Sequence, residues 1–177
     1  MTRLISVLAV LLLSACSTTS SNLAPGAVLD GQAKWALLPM ANHTDTPQAA
    51  LAAEAITEHL LRAQGITQLV RYPATLSRDS LLEPSERRIA EEAQTWAKAQ
   101  GAVYGIGGAI SEWRYKTGID GEPAVSATLH LIDLRTNTVI WSASGAKAGW
   151  SRQAVSVIAH TLLDNLLSDL PALSGKP

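Results

Sequence analysis

Apolar positions along this chain change their period from one segment to the next, and the changes mark out its elements. Residues 4–13 are an apolar run with Arg3 before it and small residues after it. Residues 17–32 (STTSSNLAPGAVLDGQ) show neither a helical nor a strand period. Residues 34–40 (KWALLPM) read as a buried first strand with Pro39 at its exit. Asn42 to Thr46 form a turn cluster, and Pro47 suits the first turn of a helix. That helix covers 48–64, with Leu51, Ala52, Ala55, Ile56 and Leu60 on its apolar side, and Gly65 stops it. A second strand covers 67–72 and ends at Pro73. Pro84 and Ser85 open a second helix that runs to Gln100, with Ile89, Ala93, Trp96 and Ala97 facing one way. A third strand spans 102–112, and Asp120-Gly121 with Pro123 marks a turn. Residues 124–133 alternate, with Val125, Ala127, Leu129 and Leu131 on one face. Arg135 to Thr138 make a tight hairpin connection into a fifth strand at 139–147. Ser151 caps a last helix to Asp169, striped by Val155, Ile158, Ala159, Leu162, Leu163 and Leu166.

The succession β-α-β-α-β-β-β-α predicts an α/β (α+β) domain: a mixed sheet with helices packed on it. With 177 residues and a 47% hydrophobic fraction, the chain suits one domain with a real core. The expected division is a signal peptide over 1–15, an anchor and flexible tether over 16–32, and the domain over 33–177. A coil the length of that tether spans about 20 Å on average.

Charge narrows the partners. The formal net charge is -1, and no basic run or stripe is present, so nucleic acid is not an expected partner. Phe is absent while Trp occurs five times, which makes the position of each Trp informative.

Several chemistry-bearing patterns dissolve on inspection. Ser144 to Lys147 matches S-x-x-K and Lys116 to Gly118 matches K-T-G. That serine should open a helix, however, and here it sits in or just after a strand. Gly105-Ile106-Gly107-Gly108 lacks the helix that a phosphate-cradling loop requires, so these glycines are expected to admit a close neighbour instead. The four histidines have no metal-ligand spacing. No nucleophile with a base emerges. The expectation is a protein without catalytic residues, metal or cofactor.

The N-terminus carries the first resemblance. Leu13-Ser14-Ala15-Cys16, closing a short basic and apolar leader, resembles a bacterial lipobox. That resemblance implies that Cys16 becomes the first mature residue and carries acyl chains. The apolar run is too short to span a bilayer, which takes about 20 residues. Cys16 is the sole cysteine, so its lipidation leaves no thiol for a disulfide. Ser17 follows, where Asp often retains such lipoproteins at the inner membrane. Outer-membrane localisation facing the periplasm is therefore expected.

Two passages carry the second resemblance. Residues 129–145 (LHLIDLRTNTVIWSASG) hold an apolar strand, Asp133, a tight turn and then Val139-Ile140-Trp141. Here Asp133 and Thr136 can bond the turn backbone, and Trp141 can fill the core between sheet and helix. Together with Trp35-Ala36-Leu37-Leu38-Pro39, then Asn42 and Thr44, this resembles the CsgG-like lipoproteins. Within that group it is most similar to the Pel polysaccharide-export lipoproteins.

The resemblance implies a ring of identical subunits beneath the outer membrane. Such a ring guides a partly cationic exopolysaccharide of the biofilm matrix toward a separate export barrel and its periplasmic scaffold. It also implies acids at a lumen mouth and aromatics facing the membrane. Asp45, Glu54, Glu58, Glu83, Glu112, Asp120 and Glu122 are candidate acids, with Asp120, Glu122 and Glu112 the candidate polymer-guiding set. Trp150 and Trp113, placed at strand ends, are the candidate membrane-facing residues. The turn regions are too short for extra membrane-spanning hairpins, so the chain is not expected to form its own pore. A rival reading is a lipoprotein activator of a peptidoglycan synthase, which shares lipobox and fold. The short tether argues against that rival, because such activators carry a long disordered one.

Overall fold

The computed structural model describes residues 17–26, 28–73, 86–116, 121–150, 152–171 and 173–174. Its elements run β1 (Ser17–Leu23), β2 (Leu29–Asp30), β3 (Trp35–Asn42), α1 (Ala49–Ala63), β4 (Leu69–Arg71), α2 (Glu86–Ala99), β5 (Tyr104–Tyr115), β6 (Pro123–Asp133), β7 (Thr138–Ala148), α3 (Val155–Ser168) and β8 (Leu173–Ser174). Six strands form one mixed sheet in the order β1-β7-β6-β5-β3-β4, while β2 and β8 make a separate parallel pair. The expected α+β architecture and its mixed sheet are present.

Topology decides which face each helix covers. β3 pairs in parallel with β4 on one side and with β5 on the other. The chain therefore moves one way across the sheet through α1 and the opposite way through α2. Right-handed crossovers in opposite directions lie on opposite faces. The packing follows this rule. α1 and α3 enclose the larger core with Trp35, Leu129, Leu131 and Trp141, whereas Ala93 and Ala97 of α2 meet Ala36, Leu38, Ile132 and Leu134 on the other face.

Single residues lock the centre. Trp141 is 1% exposed, and its indole N–H donates to the Asp169 carbonyl at 3.1 Å, tying the end of α3 to β7. Gly108 lies on β5 opposite Leu129 of β6. A Cβ there would come within 2.0 Å of the Thr128 carbonyl oxygen, so only glycine fits. Asp133 closes the β6–β7 hairpin. Its Oδ1 accepts from the Arg135 backbone N–H at 2.9 Å, and its Oδ2 accepts from the Arg135 guanidinium at 2.6 Å.

Three expectations need correction. The segment expected to be a flexible tether, 16–32, is not one throughout. Ser17–Leu23 forms edge strand β1, paired residue for residue with β7 from Ser17↔Lys147 to Leu23↔Trp141. All seven side chains are exposed, so this strand is held by backbone bonds and shows no buried period. Gly145 lets it approach, since a Cβ there would stand 2.7 Å from the Thr18 carbonyl oxygen. Second, β5 runs three residues past the expected end at Glu112, absorbing Trp113. Third, two helices start later than expected: Gln48 adopts a left-handed φ of 62° and α1 begins only at Ala49, which leaves Pro47 outside the helix, and α3 begins at Val155 with Ala154, not Ser151, at its cap position.

Truncating Trp141 removes a large core side chain and its bond to α3. Trp141→Ala is expected to cost about 3–5 kcal/mol, read as a lower urea midpoint. Acid should act through Asp133. Its hydrogen bond to the Arg135 side chain, opposed by burial and aided by further bonds at the turn, holds the carboxyl below its ordinary value. The folded state therefore binds this proton less readily than the unfolded chain, whose value is about 3.9. The stabilisation is complete above that pH and is lost as pH falls toward the lower folded value. Asp133→Asn should flatten this acid limb in a stability–pH series and cost about 1–2 kcal/mol at neutral pH.

Candidate functional site

One end of the sheet collects the features singled out in the sequence. Here β1 starts, β5 and β7 finish, and β6 begins. Cys16 lies outside the described residues, but it is bonded to Ser17, whose partner is Lys147. One to three residues past Lys147 come Ala148, Gly149 and Trp150. The start of β1 and the chain leading to Trp150 thus lie at the same end of the sheet.

Trp150 is 65% exposed, yet its loop is held firmly. Its backbone N–H donates to the Gln153 side-chain oxygen at 2.7 Å, and the Gln153 N–H returns to the Trp150 carbonyl at 3.2 Å. The Gly149 N–H donates to the Pro123 carbonyl at 2.8 Å, fixing the loop to β6. From β5, the Tyr115 hydroxyl donates to the Gln153 carbonyl at 3.0 Å. A large apolar ring shown to solvent by a loop this well bonded is a presented surface feature. Gln153 is the residue that sequence reading missed. Its signal was an amide side chain three positions after a Gly-Trp pair, within reach of the tryptophan N–H.

Trp113, the other expected membrane-facing residue, is a correction. It is 8% exposed and belongs to the main core. Two facts put it there. β5 continues to Tyr115, so Trp113 lies within a strand and pairs with Val125. The register also slips between Ile110 and Glu112. That bulge inserts one residue and reverses the alternation, so Trp113 shares the inward face with Ile106 and Ile110.

The expected acids divide in the same way. Glu54 is 5% exposed; it accepts from the Met40 backbone N–H at 3.0 Å and pairs with Arg71 at 2.9 Å, a structural role. Glu58 pairs with Arg62 at 2.9 Å. Glu112 is half-buried and accepts from the Arg114 guanidinium at 3.1 Å. It lines a pocket of 340 Å³ together with Asp45, Ser111 and Ser126. Glu122 is half-buried in the β5–β6 connection, where its carbonyl accepts from the Lys116 N–H at 2.7 Å. Asp120 and Glu83 lie outside the described residues. The structure thus brings Glu112 and Glu122 to the Trp150 end and leaves Glu54 and Glu58 on α1.

A cavity of 380 Å³ lies elsewhere, between α2 and the sheet, lined by Leu38, Pro39, Met40, Ile89, Arg87 and His130. It is mostly apolar, and burial holds the His130 imidazole toward its neutral form. Among the described residues no cluster of three or more His, Cys, Asp or Glu could hold a metal. Ser144 and Lys147 lie on β7, away from any helix start, so the S-x-x-K match has no catalytic geometry.

No protein-family model matches the chain, and no curated protein does. Solved structures do. The chain is similar to a PelC dodecamer from Paraburkholderia phytofirmans, with 38% identity and a TM-score of 0.72, over 86% of this chain and 96% of that one. A variant PelC dodecamer from the same organism gives 39% identity and a TM-score of 0.71, over 88% and 99%. Lipoprotein GNA1162 from Neisseria meningitidis shares the fold at 18% identity and a TM-score of 0.57, over 77% and 96%.

The exposure of Trp150 predicts that it contributes little to folding. Trp150→Ala should shift unfolding stability by less than about 0.5 kcal/mol in a thermal or urea melt. A loss comparable to that at Trp141 would show the ring to be packed.

Proposed function

The chain belongs to the PelC family, and from that premise we propose that it is a lipid-anchored subunit of a periplasmic ring that guides an exopolysaccharide to its outer-membrane exit. The observation that carries this reading is the PelC dodecamer, matched at 38% identity across 96% of its chain. A ring of this kind needs no active site. It needs copies, an orientation and a surface along which a polymer can pass.

The sheet end supports the orientation. Cys16 follows a lipobox-like Leu13-Ser14-Ala15, and it directly precedes β1. Acylated there, the protein would face the inner leaflet of the outer membrane with the Trp150 loop alongside its anchor. An exposed Trp at that level is at home in the headgroup region, where an apolar ring and an indole N–H are both served. Glu112, Asp120 and Glu122 lie on or near the same β5–β6 end in the chain and would act on a cationic polymer over distances near the Debye length, about 8 Å at physiological salt. The rival reading, an activator of a peptidoglycan synthase, loses further ground. Such an activator must reach away from its membrane, whereas β1 takes seven residues of the supposed tether into the sheet.

The test combines anchor, assembly and transport in the full chain. The wild type should incorporate a labelled fatty acid, fractionate with outer membranes and give high multimers on membrane crosslinking. Cys16→Ser should abolish all three. Asp120→Asn with Glu122→Gln should reduce secreted polymer at unchanged protein level. An unlabelled wild type, or a strictly monomeric crosslinking ladder, would refute the corresponding part of the reading.

A further inference from the structure

The cavity of 380 Å³ between α2 and the sheet is a groove whose walls follow from residue spacing. Ala93 and Ala97 seat α2 on β3 beside Ala36 and Leu38. Arg87, Ala90 and Gln94, at i, i+3 and i+7, share the flank of the helix that borders the groove. Leu38 and Pro39 of β3 and His130 of β6 line it from the sheet. Small residues keep it open. Ala90 does not fill it, and a Cβ at Gly107 would stand 3.2 Å from the Leu38 Cβ and 3.6 Å from the His130 Nε2. We propose that this groove binds a free aliphatic carboxylate, its chain along the apolar wall and its carboxylate at Arg87.

Charge selects the head group. Arg87 is the one charged side chain among the described residues that line the groove. It is exposed and makes no ion pair among the described residues, whereas its neighbour Arg88 meets Glu92 at 3.3 Å. A guanidinium offers a planar fork of donors that matches the two oxygens of a carboxylate. His130 adds no competing charge, because burial holds its imidazole neutral.

The wall selects the tail. β3 is paired with β4 and β5, and β6 with β5 and β7, so these strands spend their backbone groups on one another. A peptide laid in the groove would bury N–H and C=O groups against apolar side chains, at a cost that an unbranched hydrocarbon does not incur. The 380 Å³ volume lies near the lower end of the roughly 300–1,000 Å³ range of small-molecule pockets, which suits a single chain of medium length better than a two-chain lipid.

The test uses purified full-length protein mixed with phosphatidylcholine vesicles, which serve an anchored and an unanchored chain alike. The probe is decanoate carrying a diazirine at the end of its chain. After irradiation, label is expected on the peptides holding Leu38 and Ile89, and excess decanoate should suppress it. Methyl decanoate keeps the chain but not the charge, and should compete on the order of tenfold less well. Arg87→Gln should lower labelling by a similar factor and erase the preference for acid over ester, while Arg87→Lys should retain that preference. Thermal melts of both variants should match the wild type, because Arg87 is exposed. Label spread evenly over the chain, equal competition by the ester, or unchanged labelling in Arg87→Gln each overturns the proposal. A phosphatidylcholine with a diazirine on its acyl chain that labels the same peptides as strongly as the free acid assigns the groove to membrane lipid and also overturns it.

Discussion

Burial of the inner stripe of β6, with Val125, Ala127, Leu129 and Leu131 all at most 1% exposed, sets what every neighbour must do. Those side chains need a helix layer above them, which α1 and α3 supply. They also need strands on both sides to satisfy the β6 backbone, which β5 and β7 supply along almost its whole length. Close fit follows. Gly108 yields space to the Thr128 carbonyl, and Trp141 fills the gap between β7 and α3. Asp133 then fixes the register at the far end of the β6–β7 hairpin by clamping Arg135. Parallel β3 and β4 extend this frame, and their crossovers account for the helix on each face.

Most of that frame was legible in the sequence because it is made of buried, periodic residues. The stripe of α3, the alternation of β6 and the Asp133 turn each announce a face or a turn by residue type, whereas the side expected of α1 is displaced: Ala52 and Ala55 are exposed, and Ala49, Ala50, Ala53 and Leu61 are buried with Leu60. What escaped was held by backbone alone or altered by a change of register. β1 has six polar residues and then Leu23, all exposed, so no period marks it; only its pairing to β7 makes it a strand. Trp113 reads as a strand-end residue until the bulge before Glu112 turns it inward. No residue type in that stretch signals an inserted position. Trp150 was legible for the opposite reason. A large ring between Gly149 and Ser151 has no stripe to join, and it stands exposed.

The candidate site therefore differs in kind from an active site. Its parts are the start of β1, a held aromatic and half-buried acids, gathered at one sheet end by strand register.

The pairing of β1 also has a mechanical meaning. Its backbone bonds lie across the strand, and a Cys16 acylated as proposed above would pull on it from the end where the strand begins. A load from the membrane would then strain the whole seven-residue ladder at once, in shear, instead of peeling it open one bond at a time. The N-terminal segment would behave as a riveted strap. It would resist extraction and pass any tilt of the bilayer straight into the sheet, so that neighbouring copies on one membrane would share a common lean.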